Sequence, residues 1–405
     1  MNNFTFQNPT KLLFGKGMIE NLPQQISKDK RIMVTFGGGS VKKNGVYDQV
    51  IKALDGFDFI EFWGIEPNPT VETLRKAITL GKEKNIDFLL AVGGGSVVDG
   101  TKLIAAGILY DGDAWEIVKK GNEQNTIPLG AVLTLPATGS EMNAGAVISC
   151  ITTKEKFAFG SKNPVFSILD PETTFTLPGY QIACGIADTF VHTMEQYMTT
   201  TGQSPLMDRW AEGILSTLIE ITPKVIQNKT DYEQMANFML SATMGLNGFI
   251  AMGVTQDWAT HMIGHELTAM HGITHGETLA IVLPGTLRVL KEQKKAKLIQ
   301  YGERVWGITK NTGTESENAG NGYTSSVGIG SVETINSDNE LAERAIEKTE
   351  EFFRSLSLAT RLTEKNIGEE TILEVQRRFN ARNVAFGENG NVTGDVAAQI
   401  LRAAL

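Results

Sequence analysis

The histidines of this chain are concentrated in one short stretch. Of the five histidines in 405 residues, four lie within HMIGHELTAMHGITHG, residues 261–276. The fifth, His192, follows Asp188 by four residues, and His261 and His265 are also four apart. Residues at this spacing share a face of a helix, so each pair can converge on one point. An aspartate with three imidazoles suits a divalent first-row metal such as Fe²⁺ or Zn²⁺, whereas cysteine ligands are not offered.

The clustering favours a metal or catalytic site over the ordinary alternative. A single histidine on a helix is usually a satisfied core or surface residue, but four histidines in sixteen positions are not explained in that way. Residue types and spacing leave open which of the cluster's histidines are ligands, the candidates being His261, His265, His271 and His275.

The sequence GGGSV occurs twice, at 37–41 and 93–97, each time between an apolar run and a helical pattern. Glycine lets the backbone approach a ligand closely, and the N–H groups at a helix start attract phosphate. In the second copy, Asp99 and Lys102 would lie on the first turns of the following helix. Two copies in matching contexts favour a nucleotide site over turns that need glycine for packing alone. The fingerprint GxGxxG is absent from both, so the binding mode would differ from the usual Rossmann one.

Short apolar runs alternate with helical patterns in the first half of the chain. Runs at 31–36, 59–65 and 87–92 each lead into a turn, as does the segment 127–141, and residues 70–86 have helical spacing. Strands that alternate with helices predict a mostly parallel sheet with helices on both faces.

Beyond about residue 178 the pattern becomes helical, because apolar residues recur every three or four positions and strand-like alternation nearly disappears. We predict an α/β dinucleotide-binding domain over residues 1–180 and an all-helical metal-binding domain over 181–405. Residues 311–339, rich in Gly, Ser, Asn and Thr, are predicted to form a polar surface excursion, with a small hairpin as the alternative.

Charge and composition narrow the class of partner. A net charge of −9 and a pI near 5.3 argue against nucleic acid or an anionic membrane as the main partner. Cys150 and Cys184 are the only cysteines, without close spacing, and are expected to be reduced thiols. We find no secretory leader pattern and no apolar run of about 18 residues that could span a bilayer. These features predict a cytoplasmic protein.

Several separate motifs occur in an order that resembles the iron-containing alcohol dehydrogenase family. They are AVGGGSVVDGTKLIA, LPATGSEMN, ADTFVHTMEQY and THMIGHELTAMHGITHGETLAIVLP. The segments FGKGMIENLP, FGGGSVKKNGVYDQV and EPNPTVETLRKA are similar to the NADPH-dependent butanol dehydrogenases and broad-specificity aldehyde reductases of that family. The resemblance covers nearly the whole chain except residues 311–339. It implies a dehydroquinate synthase-like fold, with a parallel-sheet dinucleotide-binding domain followed by a helical metal-binding domain.

The resemblance also implies a role for each candidate residue. It implies one divalent metal held by Asp188, His192, His261 and His275, with Fe²⁺ or Zn²⁺ expected and Mn²⁺ or Ni²⁺ as further options. It implies that His265 lies beside cofactor and substrate and relays protons. For NADP(H) the implied contacts are Gly94, Gly95 and Ser96 at the pyrophosphate, Asp99 near the nicotinamide, Thr138, Ser140 and Lys156 at the ribose and nicotinamide, Asn68 near the adenosine, and Gly38, Gly39 and Ser40 at the adenine ribose.

The first glycine-rich loop bears on the choice between NADPH and NADH. A carboxylate against the ribose 2′-hydroxyl favours NADH, because it would repel a 2′-phosphate. Here Ser40 is followed by Lys42 and Lys43, and the loop contains no acid. We therefore expect NADPH, although the two lysines are equally well explained as solvated charges.

The expected function is reversible hydride transfer between NADPH and a short- to medium-chain aldehyde, with the metal as Lewis acid on the carbonyl oxygen. We expect a homodimer. The alternatives are an NAD-dependent polyol dehydrogenase of the glycerol type, a dehydroquinate synthase, a metal-dependent hydrolase and a nucleotide-binding sensor without catalysis. The loop at Ser40 and the segment HELTAMHG oppose the first two, and the complete ligand set opposes the sensor. Catalytic activity in the absence of a nicotinamide cofactor would identify the protein as the hydrolase.

Overall fold

The computed structural model of the protein describes residues 1–199, 204–311 and 333–405. Its strands are β1 Lys11–Phe14, β2 Arg31–Phe36, β3 Asp58–Phe62, β4 Phe88–Gly94, β5 Leu129–Leu135, β6 Gly145–Cys150, β7 Glu155–Gly160, β8 Phe166–Leu169, β9 Thr309–Lys310 and β10 Thr334–Ile335. Its α-helices are α1 Val46–Ala53, α2 Val71–Glu83, α3 Gly95–Leu109, α4 Ala114–Lys120, α5 Gly179–Tyr197, α6 Pro205–Gln227, α7 Tyr232–Gly245, α8 Ala259–His271, α9 His275–Val289, α10 Lys291–Arg304, α11 Asp338–Ser355, α12 Glu369–Arg382 and α13 Gly394–Arg402.

Six of the described strands form one parallel sheet in the order β1-β8-β5-β4-β2-β3. Strands β4 and β5 are buried almost throughout, as their continuous apolar sequences require when helices cover both faces. One apolar cluster joins the sheet to α1, and a second joins its other face to α2, α3 and α4. The predicted parallel sheet with helices on both faces is confirmed.

The order of the strands brings the two glycine-rich loops together. Strands β2 and β4 are neighbours, but the chain leaves β2 towards β3 at the sheet edge and leaves β4 in the opposite direction, towards β5. In open parallel sheets a crevice forms at the carboxyl ends of the strands where the direction reverses, and ligands bind there. The loop 37–40 follows β2, and Gly95, directly after β4, begins α3.

An antiparallel hairpin, β6 with β7, departs from the predicted parallel plan. Its residues alternate between buried and less buried, which is typical of strands with one covered face. The hairpin reaches the helical half of the chain, because Arg378 of α12 donates from Nη1 to the carbonyl oxygen of Lys154 at the hairpin turn (2.8 Å). Strand β7 therefore lies between the sheet and the helices.

Helix α5 is the centre of the helical half. Every residue from Ile182 to Tyr197 is buried, so the helix contacts protein on all sides. Its buried polar side chains therefore need partners inside the protein, since an unpaired buried carboxylate or imidazole is costly. Within the three described ranges, no helix has both the length and the apolar character needed to cross a bilayer.

The remainder of the described chain is helical apart from its connections and one parallel pair of two-residue strands, β9 with β10. The all-helical prediction for 181–405 differs from the structure in this detail. The pair forms because Thr309 donates its backbone N–H to Glu333 (2.9 Å) and Asn311 donates to Ile335 (2.8 Å). Of the predicted excursion at 311–339, residues 312–332 lie outside the described residues, and the rest comprises β10 and the start of α11.

Candidate metal and nucleotide site

A cleft of about 1420 Å³ lies between the carboxyl edge of the sheet and the helical half. It is lined by every residue to which the resemblance gives a role: Gly38, Gly39, Ser40, Asn68, Gly94, Gly95, Ser96, Asp99, Thr138, Ser140, Lys156, Asp188, His192, His261, His265 and His275. His271 does not line the cleft, and its Nε2 contacts the Thr371 hydroxyl at 3.0 Å instead. The fold therefore joins four of the five histidines to the two glycine-rich loops.

Asp188 lies at the centre of the histidine cluster. Its Oδ1 is 3.6 Å from Nε2 of His192. The same oxygen is 3.8 Å from Nε2 of His261 and 3.8 Å from Nε2 of His275. The ligand atoms of Asp188, His261 and His275 all lie within 4.8 Å of one another. One oxygen surrounded by imidazole nitrogens at these distances is an arrangement that a single cation would fit.

Two of these atoms are buried without a hydrogen bond. Oδ1 of Asp188 and Nε2 of His261 have no partner among the described residues. Buried polar atoms are normally paired, so each such atom needs an explanation. A divalent cation would satisfy both atoms at once, and an oxygen–nitrogen donor set suits Fe²⁺ or Zn²⁺. The residues present therefore fit the metal that the resemblance implies.

The charge states of the imidazoles also suit a metal. Burial lowers the pKa of His192 to about 4 and lowers the pKa of His275 well below its usual range. Imidazole binds a metal through an unprotonated nitrogen, so rings held neutral are ready ligands. Burial alone would also lower the pKa of His261, but the carboxylates of Glu195 and Asp188 raise it to about 9. These two carboxylates stabilise a positive charge on or beside the His261 ring, and a metal ion bound at Nε2 would provide that charge.

The metal-site residues come from three helices that approach closely at a glycine. Asp188 and His192 lie on α5, His261 lies on α8, and His275 is the first residue of α9. A Cβ atom on Gly276 would lie 2.1 Å from the carbonyl oxygen of Cys184, so α9 rests directly on the backbone of α5. This close contact between the two helices places His275 beside Asp188.

Glu195 belongs to the site but was not predicted from the sequence. It is buried on α5, where Oε2 contacts Nδ1 of His261 and Oε1 accepts the backbone N–H of Thr260 (2.7 Å). A signal was present, because Asp188, His192 and Glu195 follow the spacing i, i+4, i+7 of one helix face.

His265 lies beside the metal-site residues. Its ring centroid is 5.0 Å from that of His275 and 6.4 Å from that of His261. Burial lowers the pKa of His265 well below its usual range. Its Nδ1 has no hydrogen-bond partner in the described part of the chain. A neutral, unpartnered imidazole in the cleft can exchange a proton with a bound molecule.

The second glycine-rich loop is shaped by close packing. A Cβ on Gly93 would lie 2.5 Å from a methyl group of Val97, and a Cβ on Gly95 would lie 2.3 Å from the hydroxyl of Thr138. Glycine is thus required for the loop to contact both its own helix and the loop after β5. In the described residues no side chain caps the start of α3, so its first N–H groups are available to a phosphate in the cleft.

Asp99 and Ser140 are joined beneath this loop. Ser140 donates from Oγ to Asp99 Oδ1 (2.5 Å), and the backbone N–H of Val147 donates to Oδ2 (2.9 Å). Fully buried Lys102 donates from Nζ to the carbonyl oxygen (2.8 Å) and to Oγ (2.7 Å) of Ser140. These bonds hold the loop after β5 against α3.

Lys156 on β7 links the hairpin to the opposite wall of the cleft. Its Nζ donates to Oδ1 of Asn68 (2.8 Å), whose backbone N–H in turn donates to the hydroxyl of Ser96 (3.4 Å). Burial lowers the pKa of Lys156 to about 8, against the opposing effect of Asp188 and Asp99. The ammonium group therefore changes charge just above neutral pH.

Ser40 lines the cleft, whereas Lys42 is held to one side. The Lys42 Nζ lies 4.1 Å from the ring centroid of Trp63. Glu61 accepts hydrogen bonds from the indole N–H of Trp63 (2.7 Å) and the hydroxyl of Tyr47 (2.8 Å). An acid thus lies near the loop in space, although none lies within it in sequence.

Comparisons with known proteins identify the family to which the chain belongs. The model of the iron-containing alcohol dehydrogenases matches residues 9–171, and the model of the C-terminal region of the Fe-containing alcohol dehydrogenase family matches residues 182–405. The chain is 49% identical to the NADPH-dependent aldehyde reductase YqhD of Escherichia coli (strain K12), over 100% of both chains. It is 41% identical to the probable NADH-dependent butanol dehydrogenase 1 of Bacillus subtilis (strain 168), again over 100% of both.

The crystal structure of YqhD from E. coli K-12 superimposes with a TM-score of 0.92 at 48% identity, covering 100% of this chain and 99% of that one. The predicted family and the predicted fold class are both confirmed by these matches. The chain belongs to the iron-containing alcohol dehydrogenase family.

Proposed function

We propose that this protein is a metal-dependent alcohol dehydrogenase that reduces short- to medium-chain aldehydes with NADPH. One observation carries the proposal: a single cleft contains both glycine-rich loops and the buried, unpartnered atoms of Asp188 and His261. A nucleotide and a metal held in one cleft would face each other across the substrate. The relative YqhD, described as an NADPH-dependent aldehyde reductase, supports the same activity.

We propose that Asp188, His192, His261 and His275 hold one divalent metal, Fe²⁺ or Zn²⁺, with Mn²⁺ or Ni²⁺ as further options. When bound, the metal would polarise the carbonyl oxygen of the aldehyde, and the reduced nicotinamide would supply the hydride. His265 would relay a proton to the substrate oxygen, because its neutral imidazole can release one proton as the other ring nitrogen takes one from water. Trp258 also lines the cleft, with its ring centroid 5.2 Å from that of His261.

We propose that NADP(H) lies along the remaining residues of the cleft. The backbone at Gly94, Gly95 and Ser96 would bind the pyrophosphate at the start of α3. The residues assigned to the rest of the cofactor are Asp99, Thr138, Ser140 and Lys156 at the ribose and nicotinamide, Asn68 near the adenosine, and Gly38, Gly39 and Ser40 at the adenine ribose.

The direct test is the loss of NADPH absorbance with purified protein and butanal, with and without a chelator. We expect turnover that the chelator abolishes and that Fe²⁺ or Zn²⁺ restores. Equal rates with NADH would contradict the assigned cofactor preference. Absence of turnover in metal-loaded protein with several aldehydes and either cofactor would favour a nucleotide-binding sensor instead.

Replacing Ser40 with aspartate should exchange the cofactor preference. A carboxylate at this position would repel the 2′-phosphate, so kcat/KM with NADPH should fall about 10²-fold, equivalent to ~2.7 kcal/mol, while activity with NADH is retained or gained. Ser40→Ala removes the hydroxyl without adding charge and should have a much smaller effect. An unchanged ratio of kcat/KM for NADPH and NADH in Ser40→Asp would show that the 2′-phosphate lies elsewhere.

The affinity for NADPH should fall as the pH rises through 8. Because burial lowers the pKa of Lys156 to about 8, its ammonium group is charged below that pH and neutral above it. A charge-assisted hydrogen bond is worth roughly 1.5–3 kcal/mol, and the protonated fraction of a group with a pKa of about 8 falls about tenfold between pH 7 and pH 9. The Kd for NADPH should therefore rise by up to about tenfold over this range. Fluorescence titration of Lys156→Met should give a weak Kd with little pH dependence. The exposed Lys52→Met variant should behave as wild type.

Two features of organisation also remain proposals. We propose a domain boundary near residue 180, where α5 begins, and a homodimer in solution. Limited proteolysis that yields fragments divided near residue 180 would support the first, and a sedimentation coefficient of a monomer would contradict the second.

A further inference from the structure

We propose that Glu195 is a positioning residue of the metal site, which fixes the tautomer and the orientation of His261. The inference rests on the proposed role of His261 as a metal ligand. The inference is based on the different surroundings of the two ring nitrogens of His261. Nδ1 contacts Oε2 of Glu195. Nε2 is buried without a hydrogen bond among the described residues and lies 3.8 Å from Oδ1 of Asp188.

In metal-loaded protein the His261 imidazole would be neutral, because a ligand nitrogen is unprotonated, and it would carry its single N–H on one nitrogen and a lone pair on the other. A carboxylate is acceptor-only when ionised, so Glu195 at Nδ1 holds the proton on that nitrogen. The lone pair is then on Nε2, the atom that faces the proposed metal position. A carboxylate on the far nitrogen also makes a histidine a more basic ligand.

The Glu195 carboxylate is itself held in place. Its second oxygen accepts the backbone N–H of Thr260 at the first turn of α8 (2.7 Å), and only 3% of the residue is exposed. Glu195 and Asp188 both lie on α5, so one helix supplies a carboxylate at each end of the His261 ring. The His192 ring stacks on the same imidazole with a centroid separation of 4.5 Å. Helix α5 thereby determines where the ligand from α8 is placed.

His275 provides an internal contrast. Its Nδ1 is buried and has no hydrogen-bond partner in the part of the chain that the structure describes. The carboxylate at His261 is thus specific to one ligand rather than a general property of the cluster. It follows that loss of Glu195 should act on the metal through His261.

The test is the Kd for Zn²⁺ of metal-stripped protein, measured by competition with a chromophoric chelator. Glu195→Gln should bind Zn²⁺ about 10–100-fold more weakly than wild type. Glu350→Gln is the matched control, because Glu350 on α11 is also 3% exposed and does not line the cleft. Its Zn²⁺ affinity should equal that of wild type. An unchanged Kd in Glu195→Gln would overturn the proposal.

A double-mutant cycle separates positioning from a purely structural role. If Glu195 acts through His261, Glu195→Gln should weaken Zn²⁺ binding less than about twofold in a His261→Gln background. If Glu195→Gln acts instead by loosening α5, which carries Asp188 and His192, the full 10–100-fold loss should persist there, and the proposal is wrong. Failure of wild type to bind Zn²⁺, Fe²⁺, Mn²⁺ or Ni²⁺ would instead refute the metal site on which the inference rests.

The tautomer of His261 can also be measured in the wild-type protein, so this test does not depend on whether the Glu195 variant folds. In zinc-loaded protein labelled with ¹⁵N-histidine, long-range ¹H–¹⁵N correlations should show His261 protonated at Nδ1 and metal-bound at Nε2. The His261→Gln spectrum assigns the signal by its disappearance. Protonation at Nε2 would exclude the positioning role.

Discussion

Replacing Asp188 with asparagine is expected to lower kcat/KM for aldehyde reduction by about 10³-fold, equivalent to ~4 kcal/mol of transition-state stabilisation. Oδ1 of Asp188 lies within 3.8 Å of Nε2 of His192, His261 and His275, so it is the atom common to the whole cluster. Asparagine keeps the volume but removes the negative charge that would attract a divalent ion. Steady-state kinetics together with the metal content per chain would measure both effects.

A matched control is Asp231→Asn at the start of α7. Asp231 caps this helix through the N–H of Gln234 (3.2 Å), and asparagine is an equally good cap, so activity and stability should stay at wild-type values. Full metal content and full activity in Asp188→Asn would refute the assigned ligand set.

The second large effect is expected from Gly276→Ala, a change of one methyl group. The new Cβ would lie 2.1 Å from the carbonyl oxygen of Cys184, and a backbone atom cannot rotate away as a side chain does. Helices α5 and α9 would have to separate by about 1 Å, which overpacking data place at roughly 1–3 kcal/mol of lost stability. The same movement would take His275 away from Asp188, so metal affinity and activity should fall together. Thermal denaturation and a Zn²⁺ titration would record the two losses.

Gly213→Ala is the natural comparison, because Gly213 also lies inside a helix, α6. Among the described residues nothing lies within 4 Å of a Cβ at this position, which is exposed. Alanine should therefore raise the free energy of unfolding by about 0.5–1 kcal/mol through helix propensity. A Gly276→Ala protein as stable as Gly213→Ala would show that α5 and α9 tolerate separation.

The sequence predicted the site best where the candidate residues lie within one regular element or directly after one. The two GGGSV loops each follow an apolar run, and the structure places both runs, β2 and β4, side by side in the sheet. Helical periodicity on α8 places His265 only about 40° around the axis from His261, which is why this pair lies in one cleft. The same arithmetic puts His271 about 80° away, where it contacts Thr371 instead.

Other features depend on packing that a single sequence does not reveal. His275 reaches Asp188 because the chain turns at Gly272 (φ 68°) and α9 then rests on α5, and neither the direction of that turn nor the contact at Gly276 follows from periodicity. The contact of Glu195 with His261 was not predicted for the same reason, since the two residues lie 66 positions apart in the chain. The β6–β7 hairpin was not predicted, and its turn contacts Arg378, which lies 224 residues further along the chain.

The short parallel pair of β9 with β10 has a practical consequence for engineering. Thr309–Lys310 and Thr334–Ile335 lie side by side, so Lys310 and Thr334 are close together, and neither strand lines the cleft. The entropy cost of closing a longer connection grows slowly, by about 0.6 kcal/mol for each doubling of its length. A reporter domain or an affinity tag whose own ends are close together could therefore be joined between these two strands. The enzyme would then carry its label internally, with both chain ends unaltered.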